Sequence, residues 1–157
     1  MPIRLQRVRA MAQSRCLEVL IVEDDPLVAL DEAQTVESLG HHVIGVAAEA
    51  MEAAALVRDH RPNIALLDVN LADGATGPLL CAWLVETYGI PVVFVTGSPE
   101  QLPPGFAGAL GCVVKPYATH VLEAALSFAD RHGAAPDAPP PKGMLAATPV
   151  PNALGLH

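Results

Sequence analysis

The sequence is poor in cysteine, in long apolar runs and, over most of its length, in positive charge. Its three cysteines, Cys16, Cys81 and Cys112, stand far apart and form no CxxC pair. That argues against a disulfide framework and against a cysteine-based zinc site, and it fits a reducing cytoplasm. No apolar run reaches the roughly 18 to 20 residues that a membrane span needs, and the first fifteen residues lack the apolar centre of a signal peptide. Between Cys16 and His132 there are sixteen acids but only four bases, Arg58, Arg61, Lys115 and Arg131, a net of −12. A body so acidic repels phosphate backbones, so DNA binding by this chain is not expected.

What is present is a globular composition. Hydrophobic residues make up 52% of the 157, and the mean hydropathy is +0.37, enough for one domain with a sizeable core. Residues 1–15 carry Arg4, Arg7, Arg9 and Arg15 without an acid and read as a flexible basic extension. From 133 to 157, fifteen of twenty-five residues are Gly, Ala or Pro, which predicts a disordered tail with no further domain. The folded body is therefore expected over 16–132.

Within that body, strand-like runs alternate with helical patterns. Strands are expected at 17–22, 42–47, 63–67, 92–96 and 112–114. Helices are expected from Asp25 to Gly40, near 49–60, near 77–88 and from Thr119 onward. The first helix has Asp25 as N-cap and Pro26 at N1, with Leu27, Leu30, Ala33, Val36 and Leu39 spaced for one face. The third offers Leu80, Trp83, Leu84 and Tyr88 as its inward stripe. The last is capped by Thr119, with Val121, Leu122, Ala125, Leu126 and Phe128 inward. Alternation at this spacing predicts an α/β fold: a single, doubly wound, five-stranded parallel sheet with helices on both faces. Right-handed crossovers then put the site beyond the carboxyl ends of the strands. Between the fourth and fifth strands, "GSPEQLPPGFAGALG" holds too many prolines and glycines for more than a short helix starting after Pro104. The same composition predicts that 97–110 is the most mobile part of the body.

The stretch "VLIVEDDPLVAL" ends a buried strand on three adjacent acids, which are tolerable only in solvent or around a cation. The other strand ends carry Asp68, Thr96 and Lys115. Each alone has a dull reading, as a cap, a turn former or a surface lysine. Together they place complementary groups on one rim. Glu23, Asp24 and Asp68 make a hard, oxygen-rich pocket suited to Mg²⁺. Three acids after the first strand also disfavour a bare phosphate cradle of the Rossmann or flavodoxin type, which needs a loop of glycines or hydroxyls there. With the cation present, Asp68 is a candidate nucleophile toward a phosphoryl group, with Lys115 and Thr96 to meet its other oxygens.

The motifs "LIVEDDP", "ALLDVNLADG", "VVFVTG" and "CVVKPY", in this order and spacing, resemble those of the receiver domains of two-component response regulators, of the chemotaxis-regulator type. "LADGATG" with "VTGSPEQL" is reminiscent of receivers in bacterial general-stress signalling. The resemblance covers 16–132 and implies a flavodoxin-like receiver fold with a short or irregular fourth helix. It implies that Asp68 is the phosphoacceptor and that Asp24 binds Mg²⁺ directly and Glu23 through water. The backbone carbonyl of Asn70 resembles the family's third protein ligand. Thr96 becomes the switch hydroxyl, Lys115 the phosphoryl-contacting lysine, and Lys115-Pro116 a cis peptide. At the family's aromatic switch position stands Cys112, where no aromatic side chain can report phosphorylation and the small thiol reads as core.

The expected function is that of a stand-alone, cytoplasmic response regulator. A sensor histidine kinase or a histidine phosphotransfer protein loads Asp68, and the output is a protein–protein contact by a monomer or weak homodimer. It is not an enzyme beyond self-catalysed phosphotransfer and slow autodephosphorylation. The competing reading is a phosphate sink or shuttle in a phosphorelay. An unphosphorylated interaction module is disfavoured by the intact Asp68, Thr96 and Lys115. A phosphatase with an Asp nucleophile is disfavoured because Asp68-Val69-Asn70 lacks the paired aspartates.

Overall fold

The computed structural model describes residues 15–151. The expected basic extension lies outside them except for Arg15, whose Nε donates to Asp130 Oδ1 at 2.7 Å; residues 152–157 of the expected tail also lie outside. Five parallel strands form in turn: β1 (Glu18–Val22), β2 (His42–Ala47), β3 (Ile64–Leu67), β4 (Val92–Thr96) and β5 (Gly111–Val114). Four helices connect or follow them: α1 (Pro26–Ser38), α2 (Ala50–Asp59), α3 (Gly77–Tyr88) and α4 (Thr119–Arg131). The spatial order is β2-β1-β3-β4-β5, continued by a short sixth strand, β6 (Met144–Leu145).

The pleat sorts side chains to two layers. Leu20, Val22, Ala65, Leu67 and Phe94 face α2 and α3, where Ala53, Val57, Leu80 and Leu84 pack on them. Val19, Ile21, Leu66, Val93 and Val113 face the other way, onto Val36 of α1 and Leu122, Ala125 and Leu126 of α4. Because both faces are covered, β1, β3 and β4 can be apolar throughout, which is why they read as continuous runs. Trp83 and Tyr88 are half-buried at the rim of this core, packed edge-to-face at 5.1 Å. Arg58 lies over the Trp83 ring and Arg61 over the Tyr88 ring.

Three expectations need correction, and the irregular fourth helix is borne out. In α1 the inward residues are Ala29, Glu32 and Val36, while Leu27 and Leu30 are 77% and 55% exposed. The helix carries two competing apolar registers, and packing on β1 selects the one with small side chains, even though it brings Glu32 inside. Thr119 is the first residue of α4, not its cap; Ala118 holds that place and makes no side-chain cap bond. The segment after β4 forms the expected short, irregular helix, as two 3₁₀ turns, Pro99–Gln101 and Pro104–Gly108, the first of them ahead of Pro104. Gly105, Phe106 and Ala107 are left-handed there, at φ 75°, 50° and 53°; the two non-glycine residues tolerate this because Phe106 is anchored in the core. Finally, the Pro/Ala/Gly-rich segment is not structureless over its described part. Met144 and Leu145 pair antiparallel with Val113 and Cys112, making the sheet six-stranded. Two residues of strand carry no periodic signal; their pairing comes from the open edge of β5.

Two outcomes follow for variants. Gly77 opens α3 directly behind the loop after β3, and a Cβ there would stand 2.8 Å from Val69 Cα and against the Asp68 carbonyl. Gly77→Ala must therefore displace backbone, and is expected to cost about 1–3 kcal/mol in urea unfolding. Glu32 is 2% exposed, and burial pushes its carboxyl up from 4.5 to about 8, against a smaller opposing pull from Lys115. A carboxyl raised on folding contributes stability that is fully present below 4.5 and lost as pH rises through about 8. Wild type should thus lose stability relative to Glu32→Gln across that window, by at most about 1.4 kcal/mol per pH unit. Parallel stability–pH curves for the two proteins would contradict it.

Candidate functional site

The three acids after β1 do three different jobs. Asp25 is the N-cap of α1, its Oδ1 accepting from Leu27 N at 3.0 Å and Val28 N at 3.3 Å. Asp24 is exposed at the rim. Glu23 is turned inward, 4% exposed, its Oε1 accepting from Asp25 N at 3.2 Å. Asp68 follows β3, held beside β1 because its N–H donates to Val22 O at 3.0 Å. Lys115 follows β5, its N–H donating to Thr96 O at 2.9 Å, and its bond to Pro116 is cis.

The Lys115 side chain joins these strand ends. Its Nζ donates to Glu23 Oε2 at 2.7 Å and to Asp68 Oδ2 at 2.9 Å. The other Asp68 oxygen, Oδ1, accepts from Val69 N at 2.7 Å. Side-chain exposure is 20% for Lys115, 12% for Asp68 and 3% for Glu23, so the pairs are screened by little water. Burial works against charge on all three groups, but the outcomes differ. For Asp68 the push of burial is overcome by the hydrogen bond and charge of Lys115, with help from the Thr96 hydroxyl and from Glu23, leaving its pKa below the usual value. For Glu23 burial prevails over the same lysine and the pKa rises. Burial disfavours the Lys115 ammonium, but the bonds to Glu23 and Asp68 outweigh it and raise the pKa. Asp68 is therefore an ionised, partly accessible carboxylate with a protonated amine on one oxygen.

The structure brings Glu23, Asp68 and Lys115 into one bonded cluster. Thr96 ends β4 on the same rim, 1% exposed, its Oγ1 accepting from Ser98 N at 3.1 Å. Asn70 is exposed, and its Nδ2 donates to Gln101 Oε1 at 2.9 Å. That bond ties the loop after β3 to the first 3₁₀ turn; Gln101 went unnoticed in the sequence because a single polar residue among prolines carries no pattern. Cys112 lies inside the core at 0% exposure, burial pushing its thiol up to about 11, which is a packing residue rather than a reactive one.

Among the described residues no three His, Cys, Asp or Glu side chains gather as a cage for a metal ion. A magnesium ion does not need such a cage, since it keeps several waters and binds through one or two carboxylates. Asp24, Asp68 and the Asn70 carbonyl are all oxygen donors of that kind. Asp24 is exposed and Asp68 keeps 12% of its side chain accessible, so water ligands can reach both. The donor set thus fits the ion. Among the described residues no helix is long and apolar enough to cross a membrane.

Comparison with known proteins agrees with this geometry. A family model described as the response regulator receiver domain matches residues 19–127. The phyllosphere-induced regulator PhyR of Methylorubrum extorquens is 42% identical over 98 residues, covering 62% of this chain and 37% of that protein. The structure of the anti-anti-sigma factor PhyR from Bartonella quintana is similar, with a TM-score of 0.67 at 34% identity, over 79% of this chain and 51% of that one. The REC domain of the Erythrobacter litoralis PhyR response regulator gives 0.67 at 33% identity, over 73% of this chain and 89% of that domain. The chain thus spans about a third of the curated PhyR and half of the longer solved one. With its doubly wound sheet and its acid–lysine rim, the chain belongs to the response regulator receiver domain family, whose members are phosphoacceptor signalling domains rather than classical enzymes.

Proposed function

We propose that this chain is a phosphorylation-operated switch, loaded on Asp68 from a phosphohistidine of a sensor histidine kinase or histidine phosphotransfer protein. The observation that carries this reading is the Lys115 ammonium held on both Asp68 and Glu23. It keeps Asp68 ionised, as a nucleophile must be, and leaves a positive group where a phosphoryl oxygen would arrive. An Asp68 oxygen attacks phosphorus, the phosphorus–nitrogen bond to the donor imidazole breaks, and an acyl phosphate forms while the imidazole takes up a proton. Asp24, Asp68 and the Asn70 carbonyl would hold Mg²⁺, with Glu23 reaching it through water; when bound, the ion supplies neutralisation of the charge on the phosphoryl oxygens.

The output follows from what Asp68 loading does to its neighbours. Thr96 Oγ1, which accepts from Ser98 N, would turn to donate to the phosphoryl group. Asn70, bonded to Gln101, lies two residues from the acceptor. Both contacts lead into residues 97–110, so this segment and the face it shares with β5 and α4 form the switched surface. Cys112 beneath that face serves as packing. The partner is a cytoplasmic protein; since the Bartonella relative is titled an anti-anti-sigma factor, an anti-sigma factor is the first candidate to assay. A phosphate sink or shuttle would share the chemistry but bind only phosphodonors.

Beryllofluoride with Mg²⁺ is expected to bind wild type, shifting the amide resonances of Thr96, Lys115 and 97–101. Asp68→Asn should abolish these shifts. An adduct that survives the substitution would sink the assignment of Asp68. Asp24→Ala is expected to keep its thermal unfolding midpoint while its Mg²⁺ affinity falls about tenfold or more in calorimetric titration. Unchanged affinity would make Asp24 a bystander.

A further inference from the structure

The edge of β5 that faces away from β4 is covered by the chain's own residues 141–150. A turn closes where Met144 N donates to Pro141 O at 3.1 Å, with Gly143 at φ 94°. Met144 then tucks inward, 7% exposed, into the layer formed by Val113, Leu122 and Ala125. Leu145 points outward at 45% exposure. Further on, Gly105 N donates to Thr148 O at 2.8 Å, and Val150 sits over Gly105 so closely that a Cβ there would be 2.5 Å from its Cγ2. The strap is thus held at β5 and at the left-handed turn that follows Thr96.

It is held lightly. Only two residues pair, residues 145–150 are exposed, and the link from α4 is mostly Gly, Ala and Pro. An exposed sheet edge presents unpaired N–H and C=O groups and templates another strand. We propose that the outer edge of β5, together with the Gly105 turn, is a strand-addition site for an extended peptide segment of a partner protein, and that residues 141–150 are a built-in competitor occupying it. The strap displays the chemistry the site accepts. The partner segment carries a long unbranched apolar side chain facing α4. A glycine precedes it, because a Cβ at Gly143 would stand 3.0 Å from both Val121 methyls. An aliphatic residue follows near the Gly105 turn, as Val150 does here. The site does not depend on the phosphoacceptor reading and can be tested without phosphate.

The test uses the full chain and a fluorescent synthetic peptide of residues 139–151. In Gly143→Val/Met144→Asp the strap should detach, and the Gly105 amide should exchange faster. The tethered strap of the wild type competes at about millimolar effective concentration. The peptide should therefore bind the double variant on the order of tenfold more tightly than wild type, and should restore Gly105 protection. Adding Gly111→Ala to the double variant should remove peptide binding while cooperative unfolding persists, because its Cβ would meet the backbone carbonyl of the residue in the Leu145 position. Equal binding to wild type and double variant, no binding to either, or unchanged Gly105 exchange would each overturn the proposal. So would a wild-type dimer in solution that exchanges straps between copies.

Discussion

One ammonium group holds the rim together. Glu23 and Asp68 stand on adjacent strands and point at the same space, and both accept from Lys115 Nζ, at 2.7 and 2.9 Å. Two carboxylates that share one donor repel each other when both are ionised. The lysine offsets that repulsion and ties β5 to β1 and β3 across the width of β4. A buried ion pair of this kind is weak evidence for stability, because desolvation takes back much of the attraction. Its consequence is chemical. One acid, Glu23, is left with a raised pKa and the other, Asp68, with a lowered one, and the lowered one is the more exposed.

The rest of the molecule sets that cluster in place and connects it to a surface. Gly77 lets α3 close against the Asp68–Val69 backbone, which fixes Asp68 at the rim. Val22 O receives the Asp68 N–H and fixes its height beside β1. From there two hydrogen bonds run outward, Asn70 to Gln101 and Ser98 to Thr96. Both end in a segment that prolines and glycines keep from becoming an α-helix, and whose left-handed turn touches the strap at Thr148. A disturbance at Asp68 thus has a short covalent and hydrogen-bonded route to the β5 edge.

Much of this was legible in the sequence, and for identifiable reasons. β1, β3 and β4 are buried on both faces, so their apolar runs are unbroken, and each ends in a polar residue at the rim. Glu23, Asp68 and Thr96 were visible for that reason, as Lys115 was after the shorter run of β5, and three of the four make the bonded cluster. Asp25 capped α1 as its residue type predicts. What failed depended on tertiary choice. Helix α1 offers Leu27 and Leu30 on one side and Ala29, Glu32 and Val36 on another, and only contact with the sheet decides between them. Strand β6 exists because β5 has a free edge, not because Met144-Leu145 favours extension. Gln101 acquires its partner only when two loops meet.

The account rests on Lys115 holding Asp68 ionised, and that can be measured directly. Carbon-detected NMR titration of the Asp68 carboxyl in wild type and in Lys115→Met reports it. Asp68 should titrate below its ordinary 3.8 in wild type. In the variant, with the ammonium gone, it should titrate at a higher pH than in wild type. An Asp68 that titrates at the same pH in both proteins would contradict the account.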